Sequence, residues 1–145
     1  HFLSTRSSPM RTLQDHIVNP ANDRLTIEVL DDPGQGNACH LYRLSGFDSI
    51  SNPSYPLVGL LGTPATHAHL LFQNGPIGEA GVGVNGWTHE AMLAIICDRL
   101  RGFQSGPYAC RENALALTKL EEAMHWLQQR TVARMRRGVE GTNQV

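Results

Sequence analysis

A chain of 145 residues, 41% hydrophobic and 17% charged, has the size and balance of one globular domain able to bury a core. Its net charge of −1 argues against a general nucleic-acid binder, and no run approaches the roughly 18 apolar residues of a membrane span. Three cysteines at no regular spacing, Cys39, Cys97 and Cys110, read as reduced, cytosolic thiols rather than a disulfide framework.

Residues 1–9, HFLSTRSSP, lack a methionine and read as an added or disordered lead, with Met10 as the natural start and 10–145 as a single domain. Residues 10–84 look like strands and turns. Leu25 to Leu30 alternates and is rich in β-formers, so it reads as a strand. Asp32-Pro33-Gly34-Gln35-Gly36-Asn37 is a strong turn signal. Cys39 to Leu44 reads as a second strand, 46–56 as a loop, and Leu57 to Leu61 and Ala68 to Gln73 as further short strands. Asn74-Gly75 and Asn85-Gly86 read as turns. The small antiparallel sheet this implies has to bury one face, and the helices that follow are the available partner.

Residues 85–142 read as a helical hairpin. Thr88 is a good N-cap, and Glu90 in the first turn favours the helix dipole. Leu93, Ile96, Cys97, Leu100 and Phe103 form one apolar stripe. Gly106-Pro107 breaks the helix. The second helix is expected from Tyr108 or Ala109 to Arg137, with Leu117, Leu120, Met124 and Leu127 as its core stripe and Gly138 just past its end. So short a turn makes the helices antiparallel. The expected fold class is α+β, a small N-terminal antiparallel sheet packed on a C-terminal two-helix antiparallel hairpin. A helix of about 28 residues is long for a domain of this size, which points to an oligomer.

Charge is unevenly distributed along the chain. Residues 1–87 carry four basic side chains against seven acidic ones, and residues 88–145 carry eight against six. Four of the eight, Arg130, Arg134, Arg136 and Arg137, crowd the end of the second helix. Arg130 and Arg134, four apart, share a face, where like charges repel. Two readings compete: a solvated helix end compensating the dipole, and a clamp for a phosphate-bearing ligand.

Phe103 ends the first helix beside the turn. Asn113 lies just inside the second, where Asn is a poor helix former. Separately they read as a core ring and a turn-holding amide. Together they have the chemistry of a nucleobase reader, a ring to stack on a purine and an amide to meet its polar edge. At 1.5 Å per residue they lie about 30 Å from Arg130 and Arg134 along the second helix. One small ligand can reach both groups only if they come from different chains.

Other constellations say less. His67 and His69 alternate on a strand and face one side, but no acidic or cysteine partner has ligand spacing, so no metal is expected. No catalytic residue is expected either. There is no nucleophile motif and no phosphate loop, and Glu121 and Glu122, adjacent on a helix, point different ways.

The strings FQNGPI (Phe72 to Ile77), VNGWTHEAMLAIICDRLRGFQSGPYACREN (Val84 to Asn113) and LTKLEEAMHWLQQRT with RGVEGT (Leu117 to Thr142) resemble the phage Thoeris anti-defence sponge family, whose hairpin domain is shared with anti-CBASS nucleotide sponges. The resemblance implies a non-enzymatic protein in the cytoplasm of the infected bacterial host, with no cofactor. It would bind a glycocyclic ADP-ribose signal, 1''-2' or 1''-3' linked, without degrading it. It also implies a second site for cyclic di- or trinucleotides, and a homodimer or a hexamer built as a trimer of dimers. It assigns ligand binding to Phe103, Asn113, Arg130 and Arg134. The chain departs from the family over Gly78 to Trp87, with glycine at 78 where a longer or basic residue is expected, and this departure bears on the second site. Two other readings stand beside it: an enzyme that hydrolyses a cyclic nucleotide signal, and a small phage protein that binds nucleic acid through its arginines.

Overall fold

The computed structural model describes residues 11–54 and 65–138. The chain forms two compact units, one ending at Phe72 and the other beginning at Gln73. An antiparallel sheet followed by a helical hairpin makes the fold class α+β, as expected.

In the first unit, β1 (Arg11–Leu13), β2 (Thr26–Val29), β3 (Leu41–Ser45) and β4 (His67–Leu71) lie in sequence order in one sheet, each antiparallel to the next. β2, β3 and β4 fall on expected strands. β1 falls where none is expected, because three residues are too few to show alternation. The expected strand from Leu57 to Leu61 lies outside the described residues.

The register sorts the side chains by face, since residues directly opposite share a side. One face carries Val29 with Tyr42 and Leu70 in one row, and Leu13, Ile27, Leu44 and Ala68 in the next. Val29 is fully buried, and Tyr42 packs edge-to-face on Phe72. The other face carries Thr12, Glu28, Arg43 and His69 in one row and Thr26, Ser45 and His67 in another. Glu28 and Arg43 pair across it at 3.8 Å. His67 and His69 share that face as expected, their rings 5.6 Å apart.

Two local devices hold the sheet connections. The Asp31 carboxylate accepts the backbone N–H of His40 at 3.0 Å and of Leu41 at 3.1 Å, which closes the turn 32–39 and starts β3. After β3 the chain passes through Gly46 at φ +89°, where a β-carbon would lie 1.7 Å from the Arg24 carbonyl oxygen. No other residue fits there.

The second unit begins with a loop closed by two side-chain amides. The Gln73 backbone N–H donates to the Trp87 carbonyl at 2.9 Å. Asn85 accepts from the Asn74 N–H at 2.8 Å and donates to the Asn74 carbonyl at 2.7 Å. In return the Gln73 side chain accepts from the Asn85 N–H at 2.9 Å and donates to the carbonyls of Gly75 and Gly83.

Helix α1 (His89–Gln104) starts as expected, with the Thr88 hydroxyl accepting the Ala91 N–H at 3.1 Å. Helix α2 (Arg111–Arg136) starts two or three residues later than expected. The reason is local. The Gln104 side chain accepts the Cys110 N–H and donates to the Cys110 carbonyl, which holds Cys110 extended. Its sulfur then caps the helix by accepting the Asn113 N–H at 3.4 Å. Gly138 takes φ +71° just past the end, as its position predicts.

The helices run antiparallel. Going back along α1 from Arg101 to Cys97 goes forward along α2 from Glu121 to Met124, and these four side chains with Ala94 line one groove. Cys97 is 2% exposed. Leu117, Leu120, Met124 and Leu127 are half-buried as expected, but Ile96 and Phe103 depart from the expected core stripe, each 40% exposed. They flank the buried arc centred on Cys97. Among the described residues no helix is long and apolar enough to cross a membrane.

Asp31→Ala is expected to leave two part-buried amides unpaired and to cost about 1–3 kcal/mol in urea unfolding. Asp31→Asn, whose amide oxygen still accepts, should cost less. An unchanged unfolding midpoint for the alanine variant would show that water replaces the carboxylate.

Candidate ligand-binding site

The turn end of the hairpin gathers the first half of the site. A side chain on a helix leans toward the N-terminus, so residues four apart meet. Arg99 therefore reaches Phe103, with its guanidinium carbon 5.8 Å from the ring centroid. At an exposed position such a contact is worth about 0.5–1 kcal/mol. Tyr108, from the link between the helices, meets the same ring edge-to-face at 6.4 Å and 74°. Asn113 stands half-buried in the first turn of α2. A chain of hydrogen bonds ties it to the end of α1: the residue after Phe103, Gln104, holds Cys110, and Cys110 holds the Asn113 N–H.

The second half lies at the far end of α2. The structure exposes Arg130 and buries Arg134, which is 9% exposed. Sharing a face at helical spacing does not give the two arginines one environment: a guanidinium one turn further on is covered. Arg136 and Arg137 are exposed. From Asn113 the helical rise puts Arg130 about 26 Å away and Arg134 about 32 Å away. One chain therefore does not bring the two halves together.

Sequence reasoning missed two partnerships. Arg101 donates to the Glu121 carboxylate at 2.8 Å, and this hydrogen bond raises the guanidinium pKa above its ordinary value. The pair spans the two helices, so only the hairpin register, not local spacing, could have revealed it. Arg99 on Phe103 was legible as an i, i+4 pair, and Tyr108 in the turn was not. Among the described residues no three His, Cys, Asp or Glu side chains gather as a metal site.

Residues 66–132 match the model of the Acb2/Tad1 hairpin domain. Over 77 residues the chain is 51% identical to the protein called Thoeris anti-defense 1 of Bacillus phage SBSphiJ7, an alignment covering 53% of this chain and 53% of that protein. The chain thus spans about half the length of the curated relative it matches. The resemblance to the phage Thoeris anti-defence sponge family is borne out. Phe103, Asn113 and Arg130 fall inside the matched hairpin, and Arg134 falls two residues beyond it.

Since Phe103 is 40% exposed, Phe103→Ala is expected to lower stability by well under the roughly 3–5 kcal/mol of a core phenylalanine truncation. Thermal unfolding of the unliganded variant measures this. A loss of the full core size would make the ring a packing residue.

Proposed function

We propose that this protein is a phage anti-defence protein that binds a glycocyclic ADP-ribose signal and holds it intact, keeping it from the Thoeris receptor. The observation that carries this reading is the matched hairpin, which presents an accessible ring beside a turn. The name of the 51%-identical phage relative supports it. Phe103 stacks the adenine, Asn113 meets a polar edge of the ligand, and Arg130 and Arg134 hold the pyrophosphate by charge-assisted hydrogen bonds. No covalent chemistry is asked of these groups.

The reading also requires a second chain. The two halves of the site lie about 26–32 Å apart along α2, more than a ligand of two nucleoside-like units spans. An isologous two-fold pairing of hairpins puts Phe103 and Asn113 of one chain beside Arg130 and Arg134 of the other, twice over. The hairpin surface supports such a pairing: Ile95, Leu115, Trp126 and Met135 are all exposed in the single chain, Trp126 by 67%. Leu115 and Trp126, eleven residues apart, lie on one face of α2, and a second chain would cover them.

Two measurements test the proposal. Protein is mixed with the cyclic signal, freed of excess, and heated to release what it holds. Intact signal is expected, and ADP-ribose in its place would make the protein a hydrolase. For the shared pocket, an Asn113→Ala chain is mixed with an Arg130→Ala chain. Arg130 is the cleaner choice because it is exposed, whereas removing the buried Arg134 also disturbs the packing around it. Arg130→Ala alone should bind at least about tenfold more weakly, as expected for one lost charge-assisted hydrogen bond, and Asn113→Ala severalfold more weakly, as expected for one lost neutral hydrogen bond. The mixed dimer should regain one tight site. If the chains exchange and no tight binding returns, each pocket belongs to one chain.

A further inference from the structure

The arginines of α1 differ in what they touch, and the difference marks one of them for the ligand. Arg101 is tied to Glu121 across the hairpin. Arg99, two residues earlier, is exposed, and among the described residues it has no acidic partner. Its contact is the ring of Phe103. Part of that ring is covered by its own hairpin, and Tyr108 stands against it edge-to-face. Arg99 thus lies over a ring that is 40% exposed, with Tyr108 at its edge.

We propose that Arg99 is a further ligand-binding residue, which clamps the purine between its guanidinium plane and the Phe103 ring. This rests on the reading of Phe103 as the base-stacking residue. A guanidinium is planar and delocalised and stacks on bases as it does on aromatic rings. Stacked layers sit about 3.5–4.0 Å apart, so a purine between the two sets them about 7–8 Å apart. The unliganded separation is 5.8 Å, so the guanidinium has to lift by roughly 1–2 Å. A long exposed side chain makes that movement by rotating about its own bonds, with the backbone of α1 unmoved. The contact it gives up is an exposed cation–π contact, and a two-sided stack replaces it. Tyr108 then walls the clamp at the edge of the ring and limits it to one base.

Calorimetric titration with a glycocyclic ADP-ribose separates the possibilities, using wild type, Arg99→Ala, Arg99→Lys, Phe103→Ala and the Arg99→Ala/Phe103→Ala double variant. Arg99 is exposed and its variants lose only a weak surface contact, so they should melt within a few degrees of wild type. Arg99→Ala is expected to weaken binding on the order of tenfold. Arg99→Lys should recover little, because an ammonium has charge but no plane. The double variant should lose less than the product of the single losses, since both residues grip the same base. Arg99→Ala binding within twofold of wild type overturns the clamp, and so does full recovery by Arg99→Lys. If wild type itself does not bind the cyclic nucleotide, the anti-defence reading falls, and the clamp falls with it.

Discussion

The link between the helices is the constraint on which the rest of the hairpin depends. Six residues separate α1 from α2, and the Gln104 side chain closes them by bonding both backbone groups of Cys110. That closure has three effects at once. It turns the chain back on itself, so α2 must run antiparallel to α1. It delays the start of α2 until the Cys110 sulfur can cap the Asn113 amide. It also gathers Phe103, Tyr108 and Asn113 at one end while the 26-residue helix carries the late arginines away from them. The length of α2 thus separates the two groups of residues that the proposed ligand would need together.

The arginines illustrate how little a charge means before its neighbours are known. Arg99 and Arg101 are two residues apart on one helix, yet one lies on an aromatic ring and the other on a carboxylate. Arg130 and Arg134 are one turn apart, yet one is exposed and the other buried. In both pairs the near-neutral balance of the whole chain conceals the local arrangement. The Arg101–Glu121 contact explains one piece of it. Glu121 lies opposite Arg101 in the hairpin register, and an exposed ion pair adds modestly to stability while selecting that register over its neighbours.

Much of the hairpin was legible in the sequence, because its signals are local. Thr88 announces a cap, Gly106-Pro107 a break, and Gly138 a stop, and each does its expected work. β2, β3 and β4 were legible from alternation. The parts that were not legible depend on partners distant in sequence. β1 is held by its register with β2 rather than by its own three residues. The late start of α2 depends on a side chain six residues earlier. The exposure of Ile96 and Phe103, and the burial of Arg134, are decided by packing that a helical wheel does not contain. At the candidate site, residues could be singled out from the sequence for their chemistry, but their surroundings could not.

The loop that precedes α1 has a consequence of a different kind. Its mouth is closed by two side chains that bond backbone groups only: the Asn85 amide holds both backbone groups of Asn74, and the Gln73 amide holds the Asn85 N–H and the carbonyls of Gly75 and Gly83, so closure does not depend on the side chains between them. The entropy of closing a loop grows only slowly with its length. Insertions and exchanges between Pro76 and Gly83 therefore cost the fold little so long as the two amides stay. Variation there meets almost no resistance from the scaffold, so the loop can be rewritten while the hairpin beside it stays the same.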